Sequence, residues 1–158
     1  MKFRRLTIDE LIELETEFKQ FLIINQVYNE EWIKINQEDI EKANALIDVF
    51  SDQVLEKVYA KINFLEIRTL QTYTIFSFND LTIGSLIIQS KDETVSLSTE
   101  KEIENAINFH LQELEIFNAS KLIKSTKSKE VFELINQGAI ISSSKVWHAF
   151  SLFFNQKN

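Results

Sequence analysis

Apolar positions along this chain change period twice, and those changes outline its architecture. From Thr7 to Asn25, Leu11, Leu14, Phe18, Phe21 and Leu22 recur at helical spacing, with Glu13, Glu17 and Lys19 on the opposite side. Thr7-Ile8-Asp9-Glu10 precedes them and has the form of a capping box. Asn29 is placed to cap a short second helix holding Trp32, Ile33 and Ile35. Residues 38–62 form the longest helical pattern, with Ile40, Ala43, Ile47, Phe50, Val54 and Val58 on one face. Ser51-Asp52 is a candidate break in it, because both side chains compete for backbone hydrogen bonds.

After residue 63 the chain becomes rich in β-branched and aromatic residues. Residues 64–68, 71–78 and 82–89 read as strands, and Val95–Leu97 as a short fourth. Their short connections imply an antiparallel meander. A second capping box, Thr99-Glu100-Lys101-Glu102, then opens a helix carrying Ile103, Ala106, Ile107, His110, Leu111, Leu114 and Phe117. Residues 118–129 read as a polar, mostly basic loop, with a short strand at Leu122-Ile123. Ser128 is the expected cap of a helix over 129–137, which Gly138 ends. An extended link leads to a last helix, capped by Ser142, Ser143 or Ser144 and carrying Val146, Trp147, Phe150 and Phe153. The expected fold is therefore a single α+β domain over residues 1–158: N-terminal helices, a three- to four-stranded antiparallel meander, then C-terminal helices packed on one sheet face.

Composition narrows the chemistry. The chain has no cysteine, which excludes disulfides, zinc–thiolate sites and cysteine nucleophiles. With only two glycines, Gly84 and Gly138, no glycine-rich loop can cradle a phosphate, and no Walker or dinucleotide fingerprint occurs. The two histidines, His110 and His148, lack metal-ligand spacing, so neither a metal nor another cofactor is expected. No apolar run reaches the ~18 residues that would span a bilayer. The N-terminus lacks the form of a signal peptide, so the cytoplasm is the simplest location.

Two features remain as candidate sites. Ser142-x-x-Lys145 has the spacing of a serine nucleophile and a lysine base. The companion Ser-Asp-Asn and Lys-Thr-Gly triplets are absent, so a serine cap beside a solvated lysine is the plainer reading, and no enzyme is expected. The other feature is basic. Lys121, Lys124, Lys127 and Lys129 lie within nine residues, and Lys2, Arg4 and Arg5 form a second cluster on a chain of net charge −7. Together they are the candidate interaction surface, for an acidic protein or a nucleic-acid backbone with Tyr73, Phe76 and Phe78 as stacking faces. The plainer alternative places these aromatics in the core.

The blocks "MKFRRLTIDELIELETEF", "DVFSDQVLEKVYAKINFLE", "FNASK" and "ELINQGAIISSSKVWHAF" resemble, in this order and nearly end to end, a family of small Bacteroidota proteins known only as a domain of unknown function. The resemblance implies a cytoplasmic bacterial protein and supplies no activity, substrate or cofactor. Arg4, Arg5, Asp52, Glu56, Glu66, Ser120 and Lys121 are the polar residues of those blocks beside apolar ones. A structural pairing of Arg4 or Arg5 with Asp52 or Glu56 is expected. The leading functional expectation is a non-enzymatic module that binds another protein. An RNA- or ribosome-associated factor using segment 121–129 is the alternative, and a Ser142/Lys145 hydrolase the least favoured. Oligomeric state is left open.

Overall fold

The capping box at Thr7 is present as the sequence reads it: Thr7 Oγ1 accepts from the Glu10 amide, and Glu10 accepts from the Thr7 amide at 2.8 Å. In this computed structural model, which describes residues 1–157, the chain forms two compact units, Met1–Val58 and a second beginning at Tyr59.

The first unit is helical: α1 (Ile8–Glu13), α2 (Glu15–Ile24), α3 (Asn29–Glu38) and α4 (Ile40–Ala60), the last turn of α4 carrying on past Val58. The single helix expected over 7–25 is broken at Leu14, whose ψ of 21° takes it out of the helical region. Nothing in the local sequence demands that break. The short helix starts at Asn29 itself, with Tyr28 as an extended cap that supplies no side-chain bond. The suspected break at Ser51-Asp52 is absent and α4 runs through. Ser51 is fully buried, and its hydroxyl donates to the Ile47 carbonyl at 2.7 Å while accepting from the Leu6 amide at 3.1 Å. The hydroxyl that could have competed with the helix is used to hold the N-terminal arm instead. Phe18, Phe21, Trp32 and Phe50 meet in an aromatic cluster, with Phe18 edge-on to Trp32 at 5.2 Å.

The second unit is built on a five-stranded antiparallel sheet in the order β4-β3-β2-β1-β5. Its strands are β1 (Phe64–Arg68), β2 (Thr72–Phe78), β3 (Thr82–Ser90), β4 (Leu114–Leu122) and β5 (Ile140–Ile141). Between and after them lie α5 (Glu100–Phe109), a 3₁₀ turn (Leu111–Glu113), α6 (Lys127–Asn136) and α7 (Ser144–Lys157). This is the α+β architecture the pattern implies, with more sheet. Val95–Leu97 forms no strand; Val95 and Leu97 are buried plugs under α5. The helix expected to continue to Phe117 stops at Phe109, and residues 114–122 form an edge strand instead of a helix end and a loop. Leu114 lies opposite Ser90 and Leu122 opposite Thr82, so β4 covers β3 along its whole length.

Alternation divides the sheet into two faces. One carries Tyr73, Ile75 and Ile88, which join Ile103 and Ala106 of α5 in a buried core. Trp147 and Phe150 of α7 close that core: Trp147 carbons lie 3.5 Å from where a Cβ at Gly84 would sit, and Phe150 meets Tyr73 edge-on at 5.1 Å. The aromatic pair on the last helix is thus a lid on the core.

Candidate functional site

Period-2 alternation puts Glu66 and Arg68 on the same face of β1, and the β1–β2 register sets Tyr73 directly opposite Arg68. Glu66 is only 3% exposed. A carboxylate so far from water needs donors around it. Arg68 supplies one to Oε1 in an ion pair. Oε2 accepts from the Tyr73 hydroxyl at 3.1 Å and from Ser142 Oγ at 2.8 Å. The Arg68 guanidinium also lies over the Tyr73 ring, 5.8 Å from its centroid. Burial, reinforced by the Glu66 charge, pushes the Tyr73 phenol far above its ordinary range. The Arg68 Nε–H is buried with no partner, one unfilled position in an otherwise satisfied network.

This network floors a cavity of ≈ 400 Å³. Ile103 and Ile107 from α5 and Val146 and Phe150 from α7 make apolar walls, and Glu100, Glu104 and Lys145 bring charge to its lining. The two ends of the Ser-x-x-Lys spacing have different surroundings. The Ser142 hydroxyl donates a hydrogen bond to Glu66, and its amide donates to the Phe64 carbonyl at 3.1 Å, extending the short β1–β5 ladder. Lys145 sits on the cavity. The helix start is capped by Ser143, which accepts from the Val146 amide at 3.3 Å. Glu66 was legible as a polar residue beside apolar ones; the signal for Arg68 was its period-2 spacing from Glu66 on the same predicted strand, while Tyr73 joins them only through the β1–β2 register.

The basic residues of the candidate interaction surface fall in both units. Arg4 makes a two-pronged ion pair with Glu10 at 2.7 Å on each prong. Arg5 pairs with Asp48 at 2.6 Å and also reaches Asn44. Asp52, the expected arginine partner, instead accepts the backbone amides of Lys2 and Phe3, while Lys2 pairs with Glu56. Asp48, Asp52 and Glu56 recur every four residues, so one stripe of α4 straps down the N-terminal arm.

In the second unit, Lys121, next to last in β4, pairs with Glu130 of α6 at 2.9 Å. That contact holds the Glu130 carboxyl below the ordinary carboxylate range. Lys124 lies in the turn, where its backbone amide donates to Glu130 at 3.3 Å. Lys127 reaches Asn63 at 2.5 Å, and Lys129, two residues on, falls on a different side of α6. The cap of α6 is Thr126, not Ser128, which is buried inside its first turn. Tyr73 and Phe78 are buried in the core, and Phe76 is half-buried. No cluster of three metal-ligating side chains occurs among the described residues.

One open feature of this unit is the β4 edge. Lys91 N–H bonds Glu113 C=O and Ile123 N–H bonds Leu81 C=O, so odd-numbered residues of β4 turn their backbone groups toward β3. Ile116, Asn118 and Ser120 accordingly point N–H and C=O outward. Every residue from Phe117 to Leu122 is exposed. Beside this edge, Gly84, Ser120 and Trp147 line a hollow of ≈ 440 Å³.

A family model described as "Family of unknown function (DUF6495)" matches residues 1–155. No curated protein and no solved structure matches the chain.

Proposed function

The chain belongs to the DUF6495 family of unknown function, and from that premise we propose that it is a non-enzymatic, cytoplasmic protein-binding module of bacteroidotal origin that takes up an extended segment of its partner as a sixth strand along β4. The single observation that carries this reading is the nine-residue edge with outward backbone groups at Ile116, Asn118 and Ser120. An exposed, unpaired strand edge is a template for another chain, and natural sheets usually blunt it with proline, bulges or repeated lysine. β4 has no proline, keeps an unbroken register with β3 and carries one lysine. A hollow bounded by Gly84, Asn118, Ser120 and Trp147 lies over β3 and β4 beside this edge.

The RNA-binding alternative is less well supported. Lys121 and Lys127 already have partners, Glu130 and Asn63. A membrane partner is not part of this reading: no helix among the described residues is long and apolar enough to cross a bilayer.

The test is selection of extended peptides from a displayed library, followed by residue-resolved amide exchange. Selected peptides should slow exchange at Ile116, Asn118 and Ser120. They should lose binding to an Asn118→Pro variant, which removes an outward amide and spares the β3 ladder. Peptides that protect none of these amides, or bind Asn118→Pro as well as the native chain, would refute strand uptake.

A further inference from the structure

Resting on the strand-uptake reading, we propose that the partner strand is β4 of a second copy of this chain, joined antiparallel about a two-fold axis at Asn118 to make one continuous ten-stranded sheet.

β4 spans Leu114–Leu122, and Asn118 is its midpoint. A two-fold axis there overlaps all nine residues of each strand. It sets Glu115 opposite Lys121 twice, once at each end of the paired region. These are opposite-charge cross-strand pairs on the same sheet face, the arrangement that favours an antiparallel register. On that face Phe117 meets Ala119, a large side chain beside a small one; on the other, Ile116 meets Ser120 and Asn118 meets Asn118.

The hydrogen-bond parity agrees. Asn118 is one of the residues whose N–H and C=O point outward, so the Asn118 pair exchanges two hydrogen bonds across the axis. The Ile116–Ser120 and Leu114–Leu122 pairs do the same. Moving the axis to Phe117 or Ala119 puts Glu115 and Lys121 opposite uncharged or out-of-strand residues and shortens the overlap. In the single chain Glu115 pairs with Lys91 and Lys121 with Glu130, all but Glu130 being exposed, so these contacts are weak competitors.

The test is mass measurement by light scattering over a concentration series. The native chain should approach twice its 18.5 kDa mass as concentration rises. Asn118→Pro should stay monomeric with an unchanged circular dichroism spectrum. Glu115→Lys and Lys121→Glu should each weaken self-association at least about tenfold. Mixed in equal amounts, they should form a heterodimer, because every Lys then faces a Glu. Native protein that stays monomeric throughout, or a dimer that survives both Asn118→Pro and the single charge reversals, would overturn the proposal. If the native chain is monomeric while selected peptides still protect the β4 amides, self-pairing fails and strand uptake stands. If neither occurs, both fall.

Discussion

The Ser142 hydroxyl donates a hydrogen bond to Glu66 across 2.8 Å and 76 residues of chain, which fixes the link between α6 and α7 to the first strand of the sheet. Removing that donor leaves a buried carboxylate with one partner fewer, a loss of about 1–3 kcal/mol. Ser142→Ala should therefore lower the urea midpoint of unfolding with an unchanged slope. A serine-reactive fluorophosphonate should label native and Ser142→Ala protein alike, at background level. Labelling that disappears in the variant would restore the hydrolase reading.

Tyr73 ties the same carboxylate to alkaline stability. Its phenol is raised in the folded state, first by burial and then by the Glu66 charge. A raised group contributes stability that is fully present below its unfolded value, about 10 for tyrosine, and is lost as pH rises toward the folded value. Native protein should lose stability steeply above pH ~10. Tyr73→Phe should be less stable near neutrality by about 1–2 kcal/mol and show a shallower alkaline decline. Parallel alkaline curves for the two proteins would contradict this.

The acid side is set partly by Glu10, whose carboxyl falls to about 2 because Arg4 and the Thr7 amide donate to it. Asp48 and Glu130 are lowered by Arg5 and Lys121 in the same way. A lowered carboxyl contributes stability present above its unfolded value, near 4.5, and lost as pH falls toward 2. Glu10→Gln should flatten the part of the acid decline between these limits. Urea midpoints at pH 7 and pH 3 would show it, and an identical drop in both proteins would remove Glu10 from the explanation.

Two helices end in the same motif on unlike residues. After α2, Gln26 adopts φ 61°, with its amide bonded to Ile23 and the Val27 amide to Leu22. After α6, Gly138 adopts φ 97°, with its amide bonded to Ile135 and the Ala139 amide to Leu134. Left-handed backbone suits glycine and costs other residues about 1 kcal/mol. Gln26→Gly should raise the thermal midpoint or leave it unchanged, and Gly138→Ala should lower it by the equivalent of about 1 kcal/mol. A fall in the first and a rise in the second would reverse this account.

These ends show what a reader of the sequence can and cannot see. Gly138 announces its turn; Gln26 does not, since any residue can be forced left-handed by its surroundings. Both capping boxes were legible because Thr7/Glu10 and Thr99/Glu102 act within one turn. Strand β4 was not. Leu111, Leu114 and Phe117 continue the helical spacing of α5, and only the unfilled side of β3, 24 to 40 residues away along the paired register, turns them into a strand. The Glu66 network was half visible for the same reason. Its residues come from β1, β2 and the residue after β5, and no local pattern brings those three segments together.

The chain holds two tryptophans, and the fold gives one to each compact unit. Trp32 meets Phe18 edge-on among the N-terminal helices, and Trp147 lies against the bare backbone of Gly84 on the sheet. Each unit therefore carries its own fluorophore. Trp32→Phe and Trp147→Phe variants would report melting of the second and first units separately, so the cooperativity between them can be read from the protein's own emission without attaching a dye.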